Sequence, residues 1–221
     1  MVQQKFEHVI DACLEDGAST LEGMPPIEEL YRAAEAEKSL RTLESGVRIV
    51  KANSLRIVGA IVQAIPVLRV LQEASLEKGI PAFNSISTIV YDLDTELDVH
   101  IDNLPYVGVS VLWPVNHIGR LSVYQDSDFE IGPWIHDYEV LGRMERQLIQ
   151  LNRDAKPEFT IETTKYTAAV LRQDQNRTDK VLRAKPHSSR NIAGDSFGFP
   201  DIRIIHTLDT IDYEACVTFG V

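Results

Sequence analysis

The chain predicts an α+β fold, with helices gathered in the first third and a block of short strands behind them. Apolar residues in the first third recur at the three-to-four spacing of amphipathic helices. After Pro81 they give way to short β-branched or alternating segments separated by turns. A single further helical stripe interrupts the strands between 138 and 151. Helices first and many strands afterwards fit a β-sandwich or jelly roll buttressed by helices.

Phe6, Val9, Ile10, Cys13 and Leu14 form the first apolar stripe, stopped near Gly17. Pro25-Pro26 opens a second helix carrying Ile27, Leu30, Leu40 and Leu43, closed at Gly46. A third starts near Ser54, a good N-cap, and carries Leu55, Val58, Val62, Ile65 and Leu68 towards Gly79. Pro66 inside it should kink or divide it, because proline removes a backbone donor and clashes with the preceding turn. Strands are expected at Ser85–Tyr91, along the alternation of Val107, Val109, Val111 and Trp113, and at Arg120–Tyr124. Phe159–Thr163, Thr167–Leu171, Ile202–Thr207 and Ala215–Phe219 complete them. Asp137 caps the late helix, with Tyr138, Leu141, Met144, Leu148 and Leu151 on one face.

At 221 residues the chain fits one domain, with 1–80 as a helical buttress and 81–221 as the jelly-roll core. The net charge of −11 argues against a nucleic-acid or anionic-membrane surface. The longest apolar stretch, Ile57 to Leu71, is broken by Gln63, Pro66 and Arg69 and is too short to span a bilayer. The N-terminus lacks the apolar region of a signal peptide, and two cysteines imply no disulfide framework, so a cytoplasmic protein is expected. Neither Cys13 nor Cys216 has the basic neighbours of a nucleophile, and no GxSxG or P-loop occurs.

The motif that carries chemistry is His100-Ile101-Asp102. Residues i and i+2 of a strand point to the same face, so an imidazole and a carboxylate could converge on one metal ion. Completed by a distant histidine, this is the donor set of a mononuclear non-heme iron centre, whose three protein ligands leave positions open. The acidic run Asp92, Asp94, Glu96 and Asp98 resembles a calcium loop only superficially. It has Leu97 where the loop needs glycine and Asn103 where it needs glutamate, so it reads as a solvated turn.

From His100 to Trp134 the sequence reads HIDNLPYVGVSVLWPVNHIGRLSVYQDSDFEIGPW. An HxD motif leads into an apolar strand, then a glycine turn and Leu-x-Val, here Gly119-Arg120-Leu121-Ser122-Val123, with Trp134 nearby. In this it resembles the Fe(II)/2-oxoglutarate-dependent dioxygenase superfamily, over roughly residues 84 to 219. The resemblance implies a double-stranded β-helix (jelly roll, cupin-like) with the N-terminal helices packed against it. It implies Fe(II) as metal and 2-oxoglutarate as co-substrate.

It also implies a second histidine on a later strand, followed by an arginine for the far carboxylate of 2-oxoglutarate. His8 is too early, and His117 and His136 lie close to the first motif, which leaves His187 and His206. His187, which after Pro186 reads as a loop residue, is followed by Arg203 on the next expected strand, in the family's order, whereas no arginine follows His206. By resemblance the metal ligands and catalytic residues are therefore His100, Asp102 and His187, and Arg203 binds 2-oxoglutarate. A guanidinium suits that role because it is a bidentate, always-charged fork. Arg190 is the alternative anchor, although only three residues past His187. The interval from His187 to Arg203 is longer than in many members, and Arg203 is followed by Ile204-Ile205, without the Arg-x-Ser of one branch.

The implied activity is oxidation of a C–H bond of a small molecule, such as an amino acid or biosynthetic intermediate, with O2. Asp102 favours hydroxylation, desaturation or cyclisation over halogenation, because the family's iron halogenases carry a small residue there. Two alternatives stand beside this: a cupin-like metalloenzyme that does not use 2-oxoglutarate, and a non-catalytic jelly-roll binding module. Specificity is expected in the N-terminal helices, 103–106, 114–118 and 188–200. The helical first third could also provide a face for a homodimer.

Overall fold

The apolar stripe of the first segment forms α1 (Val2–Asp16), whose Ile10 and Cys13 have no exposed surface. In the computed structural model, residues 2–24, 41–42, 48–52, 55–92, 96–101, 108–114, 117–130, 138–173, 176–177, 181–194 and 202–210 are described. The second expected helix (25–46) falls largely outside them, as does the strand expected at 215–219. α1 stops at Gly17, whose φ of 87° suits a residue without a side chain, and the chain turns directly into β1 (Ala18–Glu22). Pro66 divides the third expected helix into α2 (Leu55–Ala64) and α3 (Pro66–Glu77). It occupies the first turn of α3, where its missing N–H costs nothing, and Ile65 before it is extended. Among the described residues no helix is long and apolar enough to cross a membrane.

The first third is not wholly helical. β1, β2 (Arg41–Thr42) and β3 (Arg48–Ala52) all join the main sheet. The remaining strands are β4 (Ser85–Asp92), β5 (Leu97–His100), β6 (Val109–Pro114), β7 (His117–Val123), β8 (Ser127–Glu130), β9 (Phe159–Thr163), β10 (Thr167–Arg172), β11 (Asn176–Arg177), β12 (Val181–Ala184), β13 (His187–Gly194) and β14 (Ile202–Asp209). The late helix is α4 (Tyr138–Asp154), between β8 and β9.

Among the described residues the strands form three antiparallel sheets. The major sheet has the order β1-β10-β6-β14-β4-β3-β2, the minor sheet β5-β13-β7-β9, and a small one β11-β12-β8. Eight strands are divided between the two large sheets in the pattern of a double-stranded β-helix, with β4-β14-β6-β10 facing β5-β13-β7-β9 in that order. The fold is therefore α+β, a jelly roll with helices against its major sheet.

Strand alternation decides what lies on each side of that sheet. Ile86, Val109, Val111, Trp113, Ala168, Val170 and Leu208 pack outward against Ile10, Cys13, Val62, Leu68 and Leu71 of the helices. Ala169 and Leu171 face inward and meet Leu121, Val123 and Ile161 of the minor sheet. The helices bury one face of the β-helix and leave its interior to the two sheets.

Candidate metal centre

In the minor sheet His187 opens β13 and lies in register with His100, the last residue of β5, and with Val123, the last of β7. Val123 in turn pairs with Phe159, the first residue of β9. Because Val123 faces the interior, its cross-strand neighbour His187 and the next neighbour His100 share that face. The two imidazoles stand with ring centroids 4.4 Å apart, tilted by 57°. His187 is buried, 4% exposed, rather than on a loop, and His100 is half-buried.

Each ring is oriented by the chain two residues before it. Nδ1 of His100 lies 2.8 Å from the carbonyl oxygen of Asp98, and Nδ1 of His187 lies 3.2 Å from that of Lys185. A carbonyl only accepts, so in each of these hydrogen bonds Nδ1 carries the hydrogen, and in a neutral ring that leaves the lone pair on Nε2. Metal-binding histidines show this arrangement, because the outer hydrogen bond fixes the tautomer and makes the ring a better ligand. Asp98 is itself held by Asn152 of α4, whose Nδ2 donates to its Oδ1 at 3.1 Å.

Asp102 lies outside the described residues. Among the described residues no three His, Cys, Asp or Glu side chains gather to hold a metal, and His100 and His187 are the members of the expected ligand set that lie among them. Two imidazoles with Nδ1 bound to backbone carbonyls, and a carboxylate two residues along in sequence from His100, are donors of a kind that fits a divalent first-row metal.

The backbone of Arg203 sits in β14 opposite Tyr91, at positions of the same parity as Ile205 and Thr207. Ile205 packs with Leu97 and Leu112 between the sheets, so the Arg203 position belongs to the inner row. It lies near the end of the β-helix away from the histidine pair. Arg190 pairs with Arg120, which pairs with Glu162, and Arg120 donates to Glu162 at 2.9 Å on the outer face of the minor sheet. Arg190 is exposed there, so the two arginines occupy opposite faces. The His206 position lies opposite Trp113 in the row that faces the helices, and His117 opens β7 at the far end. His8 is exposed on α1, and His136 lies outside the described residues.

Three connections leave the histidine end: 101–108 from β5 to β6, 124–158 from β7 to β9, which holds β8 and α4, and 173–186 from β10 to β13, which holds β11 and β12. The last two pair with each other through β8 and β12. A cavity of about 350 Å³ opens between α4 and β8, lined by Ser127, Gln147, Gln150, Leu151, Asp154 and Ala155. Between the sheets, Leu112, Pro114, Thr163, Ser189 and Ile205 border a space of about 20 Å³. The connection 114–118, expected to set specificity, leaves the opposite end; of the 188–200 segment also expected to do so, 188–194 is strand β13 and 195–200 lies outside the described residues.

The two orienting carbonyls are not legible in the sequence, because backbone acceptors carry no residue signature.

No protein-family model matches the chain, and no curated protein sequence matches it. Solved structures do match in shape. A prolyl-4-hydroxylase of Pseudomonas putida is 14% identical, with a TM-score of 0.52, over 93% of this chain and 98% of that one. The α-ketoglutarate-dependent carbocyclase SnoK from nogalamycin biosynthesis is 14% identical with a TM-score of 0.54, over 93% and 83%. The epimerase SnoN, in complex with Fe3+, α-ketoglutarate and nogalamycin RO, is 13% identical with a TM-score of 0.56, over 95% and 84%. At these identities the likeness establishes a shared double-stranded β-helix.

Proposed function

We propose that the chain is an Fe(II)- and 2-oxoglutarate-dependent oxygenase that oxidises a C–H bond of a small molecule with O2, by hydroxylation or a related desaturation or cyclisation. The observation that carries the reading is the cross-strand pair His100 and His187, with both Nδ1 hydrogens on backbone carbonyls, inside this particular β-helix. Its solved neighbours include a hydroxylase, a carbocyclase and an epimerase, which supports the fold as a host for such chemistry.

In this reading His100, Asp102 and His187 hold the iron, and Asp102 offsets one of its charges. Of the two arginines, Arg203 is the anchor for the far carboxylate of 2-oxoglutarate: its position is in the inner row, toward the end away from the histidines, whereas Arg190 is on the outer face. Bound iron with 2-oxoglutarate supplies an oxidant strong enough for an unactivated C–H bond. The residues of this chain orient the ligands, hold the dicarboxylate and keep the interior dry through Leu121, Val123 and Leu171.

The test is anaerobic loading with Fe(II), then O2-dependent conversion of 2-oxoglutarate to succinate. His100→Ala and Asp102→Ala are expected to lower turnover by at least ~100-fold, since a ligand matters more than its supporting shell. Unchanged turnover in either variant sinks the proposal. Arg203→Ala should raise KM for 2-oxoglutarate by about 10- to 100-fold, the worth of a charged hydrogen-bonded pair, while Arg190→Ala leaves it within about 2-fold.

A further inference from the structure

Lys185 is an unusual place to put a lysine. Its side chain is only 6% exposed, and a buried ammonium is costly unless it is paired. Its Nζ lies 2.7 Å from Oε2 of Glu158 and 3.5 Å from Oδ1 of Asp126. Asp126 is shared with Arg172, whose Nη2 donates to both of its oxygens at 2.7 Å. Arg172 Nη1 donates to the carbonyl of Leu14 near the end of α1, also at 2.7 Å. The cluster thus ties together α1, the end of β10, the start of the 124–158 segment and the residue before β9.

The stem of the lysine is held as firmly as its head. Gly17 packs so closely on it that a Cβ there would lie 2.6 Å from Lys185 Cε, 2.7 Å from Cδ and 2.9 Å from Cγ. The backbone around Lys185 is pinned too: the Tyr124 N–H donates to the Pro186 carbonyl at 3.0 Å, and the Glu158 N–H to the Val123 carbonyl at 2.8 Å. The group left projecting from this fixed residue is the Lys185 carbonyl, which accepts from His187 Nδ1. The carboxylates of Glu158 and Asp126 are themselves exposed, so pairs of this kind add little stability. What this one supplies is a fixed geometry beside a histidine.

We propose that Lys185 is a positioning residue for His187: its ion pairs with Glu158 and Asp126 hold the carbonyl that sets the ring's tautomer. The effect on metal binding rests on the iron reading above. The effect on the tautomer does not.

The experiment uses the full chain with 15N-labelled histidine rings. In the metal-free wild type, His187 is expected as the Nδ1–H tautomer. Lys185→Met keeps the stem and loses the charge, and should give a mixture of tautomers. Lys185→Arg restores the charge and should restore the wild-type spectrum. Glu158→Gln should shift it in the same direction as Lys185→Met, which keeps the test open should Lys185→Met fail to fold. In parallel, Mn(II) titration should show a Kd raised about 10-fold in Lys185→Met, the scale of a lost outer-shell contact, and recovered in Lys185→Arg. A wild-type tautomer in folded Lys185→Met, or in Glu158→Gln if Lys185→Met does not fold, overturns the proposal. A shifted tautomer in a protein whose wild type binds no Mn(II) supports the positioning role while removing the iron reading.

Discussion

Cys13 lies fully buried between α1 and β10, with its Sγ donating to the Val170 carbonyl at 3.4 Å. Burial pushes the thiol up from about 9.0 to about 12, against a smaller downward pull from the Arg172 guanidinium. An unfolded chain ionises this group near pH 9 while the folded chain keeps its proton. The folded state therefore binds more protons between pH 9 and 12, and stability falls as pH rises through that window. The fall can reach about 1.4 kcal/mol per pH unit for one proton. Urea unfolding should accordingly weaken more steeply above pH 9 in the wild type than in Cys13→Ala; equal slopes would show that Cys13 does not retain its proton. The same scale shows what a sequence conceals. His100 and Asp102 stand out as a tripeptide, but His187 after Pro186 reads as a loop residue. Proline is tolerated at the edge of a strand, and β13 begins immediately after it.

At the scale of elements, β13 is hidden for a physical reason. His-Ser-Ser-Arg-Asn-Ile-Ala-Gly has no apolar alternation, because its inward positions His187 and Ser189 border the site and the small cavity rather than the apolar core. β1 and β3 are short and follow helix-like stretches, so periodicity assigns the first third to helices and misses them. The divided α2–α3 helix is legible from Pro66 alone. Gly108, just before β6, is another such punctuation mark. Its φ is 76°, and a Cβ there would lie 2.6 Å from Ile80 Cγ2. Gly108→Ala should lose about 1–2 kcal/mol from the backbone alone, more with the clash, read as a lower urea midpoint with an unchanged m-value. No loss of stability would mean that Ile80 yields freely.

For the whole molecule the useful division is between its two ends. The α+β class follows from composition and periodicity, but which loops meet at which end follows from strand pairing, which no single segment encodes. The pairing makes 124–158 and 173–186 leave from the end that holds the histidine pair, and 114–118 from the far end. We propose that the α4 cavity takes the substrate of the proposed oxygenase, so that Gln150→Ala or Asp154→Ala changes its KM several-fold with little change in kcat. Ile118→Ser, on an exposed residue at the far end, should change neither. Steady-state kinetics on one accepted substrate decides the matter, and an effect of Ile118→Ser as large as those on α4 would move the substrate site.

The register of His100 with His187 also bears on the order in which the chain can fold. The two residues are 87 positions apart, and β13 must insert between β5 and β7, two strands made long before it. Closing such loops is entropically slow, so contacts of this separation are won late. The pair cannot exist in a partly assembled sheet, and a ligand that needs both rings recognises only the completed β-helix. Such a ligand stabilises that state by mass action, in proportion to the logarithm of its concentration over its Kd. Its uptake during refolding would time the insertion of one strand.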